Sequence, residues 1–214
     1  MQIDIIFGIV VLIVSVILHE VAHGYMANYL GDPTARLSGR LTLNPLVHID
    51  PIGSIVLPAL LLIAHTPILI GYAKPVPYNP YNLRGKYGEG MVAFAGPGTN
   101  ILLALFFGLL IRFGAAQLGP DLINAFAIIV YVNMLLALFN LIPIPPLDGS
   151  KVFSTLLGMV SLDMERGYDT FRRNFERLGV LSGTLLILLA FYFLSPLFMS
   201  LIRALFLLLT GVAL

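Results

Sequence analysis

The segment His19-Glu20-Val21-Ala22-His23 holds the residues whose types and spacing are best suited to chemistry. On a helix, His19 and His23 share a face, so both imidazoles can bind one tetrahedral Zn²⁺ ion. Glu20 stands beside that face, where its carboxylate can act as a general base for water. The surrounding residues are apolar, and ionisable groups at membrane depth are costly unless they have a function. The pattern therefore favours metal-assisted hydrolysis over a structural pair of helix histidines.

The overall composition indicates a membrane protein with a single domain over residues 1–214. Hydrophobic residues make up 58% of the chain and charged residues 11%, against roughly 25% charged residues in soluble domains. The net charge of +1 comes without a basic tail, so no nucleic acid is expected as a partner. The chain contains no cysteine, and a bound zinc ion must therefore be held by histidine together with aspartate or glutamate.

A third zinc ligand is sought among the eleven acidic residues, and Asp148 is the best placed of them. It follows a run of prolines that must break an apolar helix, and it precedes Gly149, where the backbone can approach other groups closely. Its carboxylate can then point into a helix bundle. Most other acidic residues lie in polar segments or at the ends of apolar ones. Asp50, in the loop after the first apolar segment, is the second candidate.

Apolar segments long enough for membrane helices position these residues. The first, residues 5–30, carries the two histidines in its second half and ends at Gly31-Asp32-Pro33. Three more apolar segments follow it, at residues 52–70, 90–113 and 122–141. The tail, residues 180–214, is interrupted by Ser195-Pro196 and is expected to form two short helices or one broken span.

Two polar segments separate the apolar ones. Residues 31–51 are irregular, although Arg40 to Leu43 favour a short strand. Residues 151–179 alternate arginines with phenylalanines and leucine, which favours either an amphipathic helix on the membrane surface or a solvated loop.

The distribution of positive charge predicts that residues 52–70 re-enter the membrane rather than cross it. Five of the twelve Lys and Arg residues lie in residues 31–88 and five more in residues 143–179. If residues 52–70 re-enter, both basic segments face the cytoplasm, as the positive-inside rule favours. Residues 114–121, which carry no Lys or Arg, then lie on the opposite side.

A re-entrant course of residues 52–70 also brings the three candidate ligands His19, His23 and Asp148 to a similar depth in the cytoplasmic half of the membrane. A single zinc ion requires this, because its ligand atoms lie about 2 Å from it. The expected location is therefore the cell (inner or plasma) membrane, as a multi-pass protein with its active site toward the cytoplasmic half.

These motifs resemble those of the site-2 protease family of intramembrane zinc metalloproteases, which combine HExxH on one transmembrane helix with an Asn-to-Asp-Gly motif on a later one. The similarity covers about residues 5–155. It rests on four motifs: His19-Glu20-x-x-His23, Gly71-Tyr72-Ala73-Lys74-Pro75-Val76-Pro77, Gly96-Pro97-Gly98-Thr99-Asn100, and Asn140 through Asp148-Gly149.

The resemblance implies zinc bound by His19, His23 and Asp148, with Glu20 activating water. It also implies that Asn140, beside the site, helps to hold the backbone of the substrate. The expected member is of the minimal prokaryotic type, without a PDZ or CBS domain.

The expected fold is an all-α polytopic membrane protein. It has about five to six transmembrane helices, a re-entrant segment and a small membrane-associated β-hairpin or sheet. The catalytic core covers about residues 5–155, and C-terminal amphipathic and membrane helices cover about residues 156–214.

The expected substrate is a transmembrane protein, cleaved in or near the lipid bilayer by regulated intramembrane proteolysis. An intact helix hides its peptide bonds in i to i−4 hydrogen bonds, so the substrate must unwind locally, and an exposed strand is suited to hold it. Residues 69–77 are the expected edge, with the substrate contacts at Gly71, Tyr72, Ala73 and Lys74; the alternative for this stretch is an ordinary loop after a helix.

Functions of other classes also fit intramembrane His and Glu residues, above all a transporter or channel for metal ions or protons. Transporters often have repeated halves with pairs of broken helices, whereas this sequence has one HExxH, one Asp-Gly break and no detectable repeat. Two further alternatives are a membrane zinc peptidase of another lineage, acting on soluble or lipidated peptides, and a catalytically silent scaffold. The sequence does not indicate the oligomeric state.

Overall fold

The structure, a computed structural model, describes residues 2–51, 53, 73–177 and 179–212. Its regular elements within these residues are helices, and no strand occurs among them. The α-helices in chain order are α1 (Gln2–Tyr29), α2 (Thr34–Leu37), α3 (Gly88–Gly114), α4 (Pro120–Asn140), α5 (Asp148–Val160), α6 (Leu162–Glu176) and α7 (Gly179–Thr210). Short 3-10 helices cover Pro45–His48 and Pro80–Asn82.

Three helices in the described part of the chain are long and apolar enough to cross a membrane: Ile5–Tyr29, Gly88–Gly114 and Pro120–Asn140. Large apolar side chains on their outer faces remain exposed in the protein alone, for example Ile6 and Phe113. Lipid is the environment in which such exposed apolar faces are stable. The described residues therefore give an all-helical membrane protein with three candidate spans.

Helix α3 lies at the centre of the bundle and packs against α1, α4, α5 and α7. Small residues allow these close approaches: a methyl group on Gly90 would lie 2.6 Å from the Cβ of Thr155, and one on Gly108 would lie 3.2 Å from the Cβ of Leu209. The predicted packing role of the small residues in this segment is therefore visible in the helix contacts. Around them, an apolar core forms from Ala104, Ile111, Val130, Met134, Phe198, Ile202 and Phe206.

The chain turns sharply between α4 and α5, where prolines prevent a continuous helix. Helix α4 ends at Asn140, and Asp148 is the first residue of α5. Gly149 packs directly against the end of α4, since a methyl group at this position would lie 2.5 Å from the carbonyl oxygen of Ile142. A glycine after Asp148 is thus what lets the carboxylate reach the interior of the bundle.

Helix α6 packs some of its charged side chains against the bundle and exposes some of its apolar ones. Arg172 lies 3.6 Å from Glu89 on α3 and 3.2 Å from Asp169, measured between guanidinium nitrogen and carboxylate oxygen. Met164 and Phe171, on the other side of the helix, are about half exposed. The amphipathic segment predicted within residues 151–179 is thus helical rather than a loop, and its exposed surface carries both apolar and charged side chains.

The structure differs from the sequence expectations in the described residues at positions 40–43, in the C-terminal segment and, as described below, at residues 73–77. Residues 40–43 form no strand, because the backbone N–H of Arg40 donates back to the carbonyl oxygen of Ala35 at 2.9 Å and so continues the turn after α2. The C-terminal segment is one helix that continues through Pro196 rather than two short ones. The predicted re-entrant course of residues 52–70 lies outside the described residues, apart from Gly53.

Candidate metal centre

Helices α1 and α5 bring three potential metal ligands together. Nε2 of His19 lies 3.1 Å from Oδ2 of Asp148, Nε2 of His23 lies 3.3 Å from the same oxygen, and the two Nε2 atoms are 3.1 Å apart. Ligand atoms placed about 2 Å from a tetrahedral zinc ion lie roughly 3.3 Å from one another. The three atoms therefore have the spacing of a single zinc site with three protein ligands, the arrangement of catalytic zinc.

The three side chains are largely shielded by the bundle. His19 is 6% exposed and His23 is 9% exposed, while the side chain of Asp148 is 20% exposed. An aspartate is ordinarily ionised at neutral pH, as a zinc ligand must be.

The other ring nitrogen of each histidine has a partner that fixes the tautomer. Nδ1 of His23 lies 2.7 Å from the carbonyl oxygen of Val92, which can only accept, so this Nδ1 carries the hydrogen. Nδ1 of His19 lies 2.6 Å from Oδ1 of Asn100. With hydrogen on Nδ1, Nε2 keeps its lone pair for a metal ion.

A chain of buried amides determines which way Asn100 points. Nδ2 of Asn133 donates to the carbonyl oxygen of Ile129 at 2.9 Å and to Oγ of Ser15 at 3.0 Å. Oδ1 of Asn133 therefore accepts, and Nδ2 of Asn100 donates to it at 2.8 Å. Oδ1 of Asn100 is left facing His19 as an acceptor. Both asparagines are 0% exposed, so reversing either amide would leave buried polar atoms unpaired, which is costly.

Glu20 lies on the wall of the cavity that the three ligands share, which has a volume of about 300 Å³. Its Oε2 accepts the backbone N–H of Val76 at 2.9 Å. Oε1 makes no hydrogen bond within the described residues, so it is available to a water molecule in the cavity. Glu20 thus lies next to the ligands but outside their cluster, with one carboxylate oxygen fixed and the other free to meet water.

Asn140 and Asp50, two other candidates from the sequence, occupy different places. Asn140, the last residue of α4, lines the cavity, and its Nδ2 donates to the carbonyl oxygen of Leu136 at 2.9 Å, which leaves Oδ1 as an acceptor. Asp50 accepts the backbone N–H of Gly53 at 2.7 Å and is not one of the residues clustered with the histidines. The structure therefore brings Asp148 to the histidines and not Asp50.

The predicted substrate-binding stretch lies only partly within the described residues. Gly71 and Tyr72 lie outside them. Ala73 and Lys74 begin an irregular segment, residues 73–79, and neither lines the cavity. The residues of this segment that do line it come later: Pro75, Val76 and Tyr78.

The described part of the expected strand edge, residues 73–77, is not a strand. Pro75 and Pro77 carry no backbone N–H. The N–H groups of Lys74 and Val76 both donate within the protein, the first to the carbonyl oxygen of His48 at 2.8 Å. A peptide lying beside these residues therefore does not meet the alternating donors and acceptors of a strand edge.

The roles of Asn100, Asn133, Tyr78 and Lys151 were not identified from the sequence. Asn100 was noted only as part of a small-residue motif. The sequence does contain an indication for the two asparagines, because a polar side chain within an apolar helix is costly unless it has a partner. For Lys151 the signal was its position three residues after Asp148, which places both side chains on one side of a helix.

Gly96 lies where α3 passes closest to the two histidines. A methyl group there would lie 2.6 Å from Nε2 of His19 and closer still to Nε2 of His23. We expect Gly96→Ala to displace the imidazoles and to weaken zinc binding by at least about tenfold, measured by competition with a chelator. Gly98→Ala is the matched control, since its methyl group meets only the ring of Phe94 on the same helix, at 3.2 Å. Equal zinc affinities of the two variants would contradict this expectation.

Comparison with known proteins identifies the family. The sequence profile of Peptidase family M50 matches residues 113–189, which include the motif from Asn140 to Gly149. YwhC of Bacillus subtilis (strain 168) is 40% identical over 157 residues, which cover 70% of this chain and 68% of YwhC. Rip2 of Mycolicibacterium smegmatis is 30% identical over 137 residues, which cover 64% of this chain and 52% of Rip2.

A shorter similarity, 45% identity over 65 residues, extends to MJ0611 of Methanocaldococcus jannaschii and covers 30% of this chain and 32% of that protein. All three relatives bear the name "Putative zinc metalloprotease". No solved protein structure matches this chain significantly. The similarity to most of YwhC, the match to the family profile and the apolar helices all indicate the same family of membrane proteins. The chain therefore belongs to peptidase family M50, the site-2 protease family, and is a membrane metallopeptidase with Zn²⁺ as its cofactor.

Proposed function

We propose that this peptidase hydrolyses peptide bonds in or near the transmembrane segments of membrane-protein substrates, as in regulated intramembrane proteolysis. One observation carries the proposal: the candidate zinc ligands and Glu20 line a single cavity among helices that are long and apolar enough to span a membrane. A peptide bond that reaches this cavity meets the hydrolytic groups at membrane depth. The predicted partners are thus a transmembrane protein and the lipid bilayer.

In this proposal His19, His23 and Asp148 hold the zinc ion. The ion, when bound, acidifies water and polarises the scissile carbonyl. Glu20 accepts the proton that water loses on attack, and it returns this proton to the amine nitrogen when the C–N bond breaks. The N–H of Val76 fixes Oε2 of Glu20, so the proton transfers are assigned to Oε1.

The substrate must present its peptide bond in an unwound form, because a helix hides backbone groups in its own hydrogen bonds. We assign the positioning of the unwound segment to Oδ1 of Asn140 as an acceptor and to the carbonyl oxygen of Val76. Gly71, Tyr72, Ala73 and Lys74 remain proposed substrate contacts.

We further propose that the active site faces the cytoplasmic half of the cell membrane. The two basic segments, residues 31–88 and 143–179, then lie on the cytoplasmic side. The exposed apolar side chains of Met164 and Phe171, together with exposed charged side chains on the same helix, fit a position of α6 at the bilayer interface.

This topology predicts that residues 80 and 160 lie on the same side of the membrane. The chain has no native cysteine, so Pro80→Cys and Val160→Cys each supply a single site for a membrane-impermeant thiol reagent. Both should be labelled from the cytoplasmic side, whereas Ala116→Cys should be labelled from outside. Labelling of positions 80 and 160 from opposite sides would contradict the re-entrant course of residues 52–70.

The function itself is tested by peptide cleavage with the purified protein in lipid bicelles. We expect stoichiometric zinc and cleavage of single-span peptides within or beside the span, and no cleavage by the Glu20→Gln variant. A soluble peptide that contains the same scissile sequence is the matched comparison. Efficient cleavage of the soluble peptide alone would favour a membrane peptidase that acts on soluble or lipidated peptides.

A further inference from the structure

Lys151 brings a positive charge into the cavity that holds the candidate metal ligands. It lies one helical turn after Asp148 in α5 and lines the same cavity as Glu20. Among the described residues that line this cavity, it is the only lysine or arginine. Neither metal binding nor the base role of Glu20 accounts for a lysine at this position.

The ammonium group of Lys151 is paired with a phenol and not with a carboxylate. Its Nζ donates to the hydroxyl oxygen of Tyr78 at 2.7 Å and lies 4.9 Å from the centroid of that ring. Within the described residues it forms no ion pair, although Asp148 is three positions away and Glu20 is on the same cavity wall. Since the phenol accepts from Nζ, its own O–H hydrogen is free to donate to a ligand.

The charges in the site indicate a role for Lys151 and Tyr78. A zinc ion with two positive charges is balanced by the carboxylates of Asp148 and Glu20. When water attacks a peptide carbonyl, Glu20 takes a proton and loses its negative charge, and the carbonyl oxygen gains one. In a cavity of low dielectric, a fixed cation and a polarised O–H group stabilise that charge far more than they do in water.

We propose that Lys151 and Tyr78 form an oxyanion-binding pair for the scissile carbonyl, an inference that rests on the proposed function of the same site. In the first step the water oxygen bonds to the carbonyl carbon, a water proton passes to Glu20, and the π electrons of the C=O bond move onto its oxygen. That oxygen accepts hydrogen bonds from Oη of Tyr78 and Nζ of Lys151. The pair of electrons returns to the C=O bond when the C–N bond breaks, and the proton on Glu20 passes to the amine.

The test compares three variants of the pair with a matched control. Lys151→Met keeps the length of the side chain but removes the charge, and we expect kcat to fall about 100-fold with KM changed less than about threefold. Lys151→Arg, which keeps the charge, should restore kcat to within about tenfold of wild type. Tyr78→Phe should lower kcat by about tenfold. Zinc content and Tm should match wild type in all three.

Lys86→Met is the control, because Lys86 also lies over a tyrosine ring, 5.4 Å from the centroid of Tyr87, but outside the cavity. Its kcat should equal that of wild type. An equal loss of kcat in Lys86→Met and Lys151→Met would overturn the proposal. An unchanged kcat in Lys151→Met, a change in KM alone, or loss of zinc would also overturn it.

A binding measurement separates this inference from the proposed function. A peptide phosphinate carries a tetrahedral anion in place of the scissile bond, so its affinity for the zinc-loaded protein should weaken about 100-fold in Lys151→Met. If wild type cleaves no membrane peptide, the proposed function fails, while phosphinate binding still decides the role of Lys151. Equal phosphinate affinities of wild type and Lys151→Met would overturn the oxyanion-binding role.

Discussion

Asp148→Ala and His23→Ala are each expected to lose tightly bound zinc and peptidase activity together. Zinc-finger peptides with four protein ligands bind zinc with a free energy of about 10–16 kcal/mol, or roughly 3 kcal/mol per ligand. Loss of one ligand should therefore weaken zinc binding on the order of a hundredfold. Since Asp148 lies 3.1 Å and 3.3 Å from the two histidines, its removal also leaves their nitrogens facing each other without an anion between them. Zinc per protein chain is measured by mass spectrometry after dialysis against a chelator.

Asp50→Ala is the control for this prediction. Asp50 is the other acidic residue that the sequence suggested as a ligand, and the structure places it apart from the histidines, on the backbone N–H of Gly53. This variant should retain zinc and activity. The assignment of Asp148 is wrong if Asp50→Ala loses the metal while Asp148→Ala keeps it.

Glu20→Gln is expected to separate metal binding from chemistry. The amide keeps the size of the side chain, and its oxygen can still accept the N–H of Val76, which lies 2.9 Å from Oε2 in wild type. It has no basic oxygen to take a proton from water. We therefore expect near-stoichiometric zinc, normal binding of the membrane substrate, and turnover lowered by at least about a hundredfold.

Substrate binding to Glu20→Gln is measured with a fluorescent single-span peptide in bicelles, and turnover with the same peptide by mass spectrometry of its products. Undiminished proteolysis by Glu20→Gln would remove the base role from this residue, even with zinc bound. A loss of zinc in this variant would instead indicate that the carboxylate helps to hold the metal site together.

The local part of the site was predictable from the sequence because helix periodicity acts over a few residues. His19 and His23 share a face at a spacing of four, and their Nε2 atoms are 3.1 Å apart. The proline run before Asp148 breaks α4, and Gly149 allows α5 to begin against the end of α4. Each of these statements needs only the steric properties of the residues and their nearest neighbours in the chain.

Two elements that were predicted wrongly from the sequence depend on contacts between residues far apart in the chain. Residues 40–43 have the composition of a strand, yet they have no strand to pair with in the described part of the chain, and Arg40 donates its side chain to the carbonyl oxygens of Lys74 and Pro75 instead. Pro196 suggested a helix break. Packing of the residues after it, including Phe198 and Ile202, in the core with α3 and α4 stabilises a continuous α7.

By itself, the sequence determined the chemistry: a metal-ligand pair with a base beside it, a later aspartate at a helix break, and apolar segments to hold them in a membrane. Only the tertiary structure decided how these groups are oriented. Asn100 meets His19 across 81 positions of chain, Val76 meets Glu20 across 56, and Tyr78 meets Lys151 across 73. Such contacts depend on how whole helices pack, because hydrogen-bond geometry is fixed by distances of about 3 Å that no residue spacing along the chain encodes.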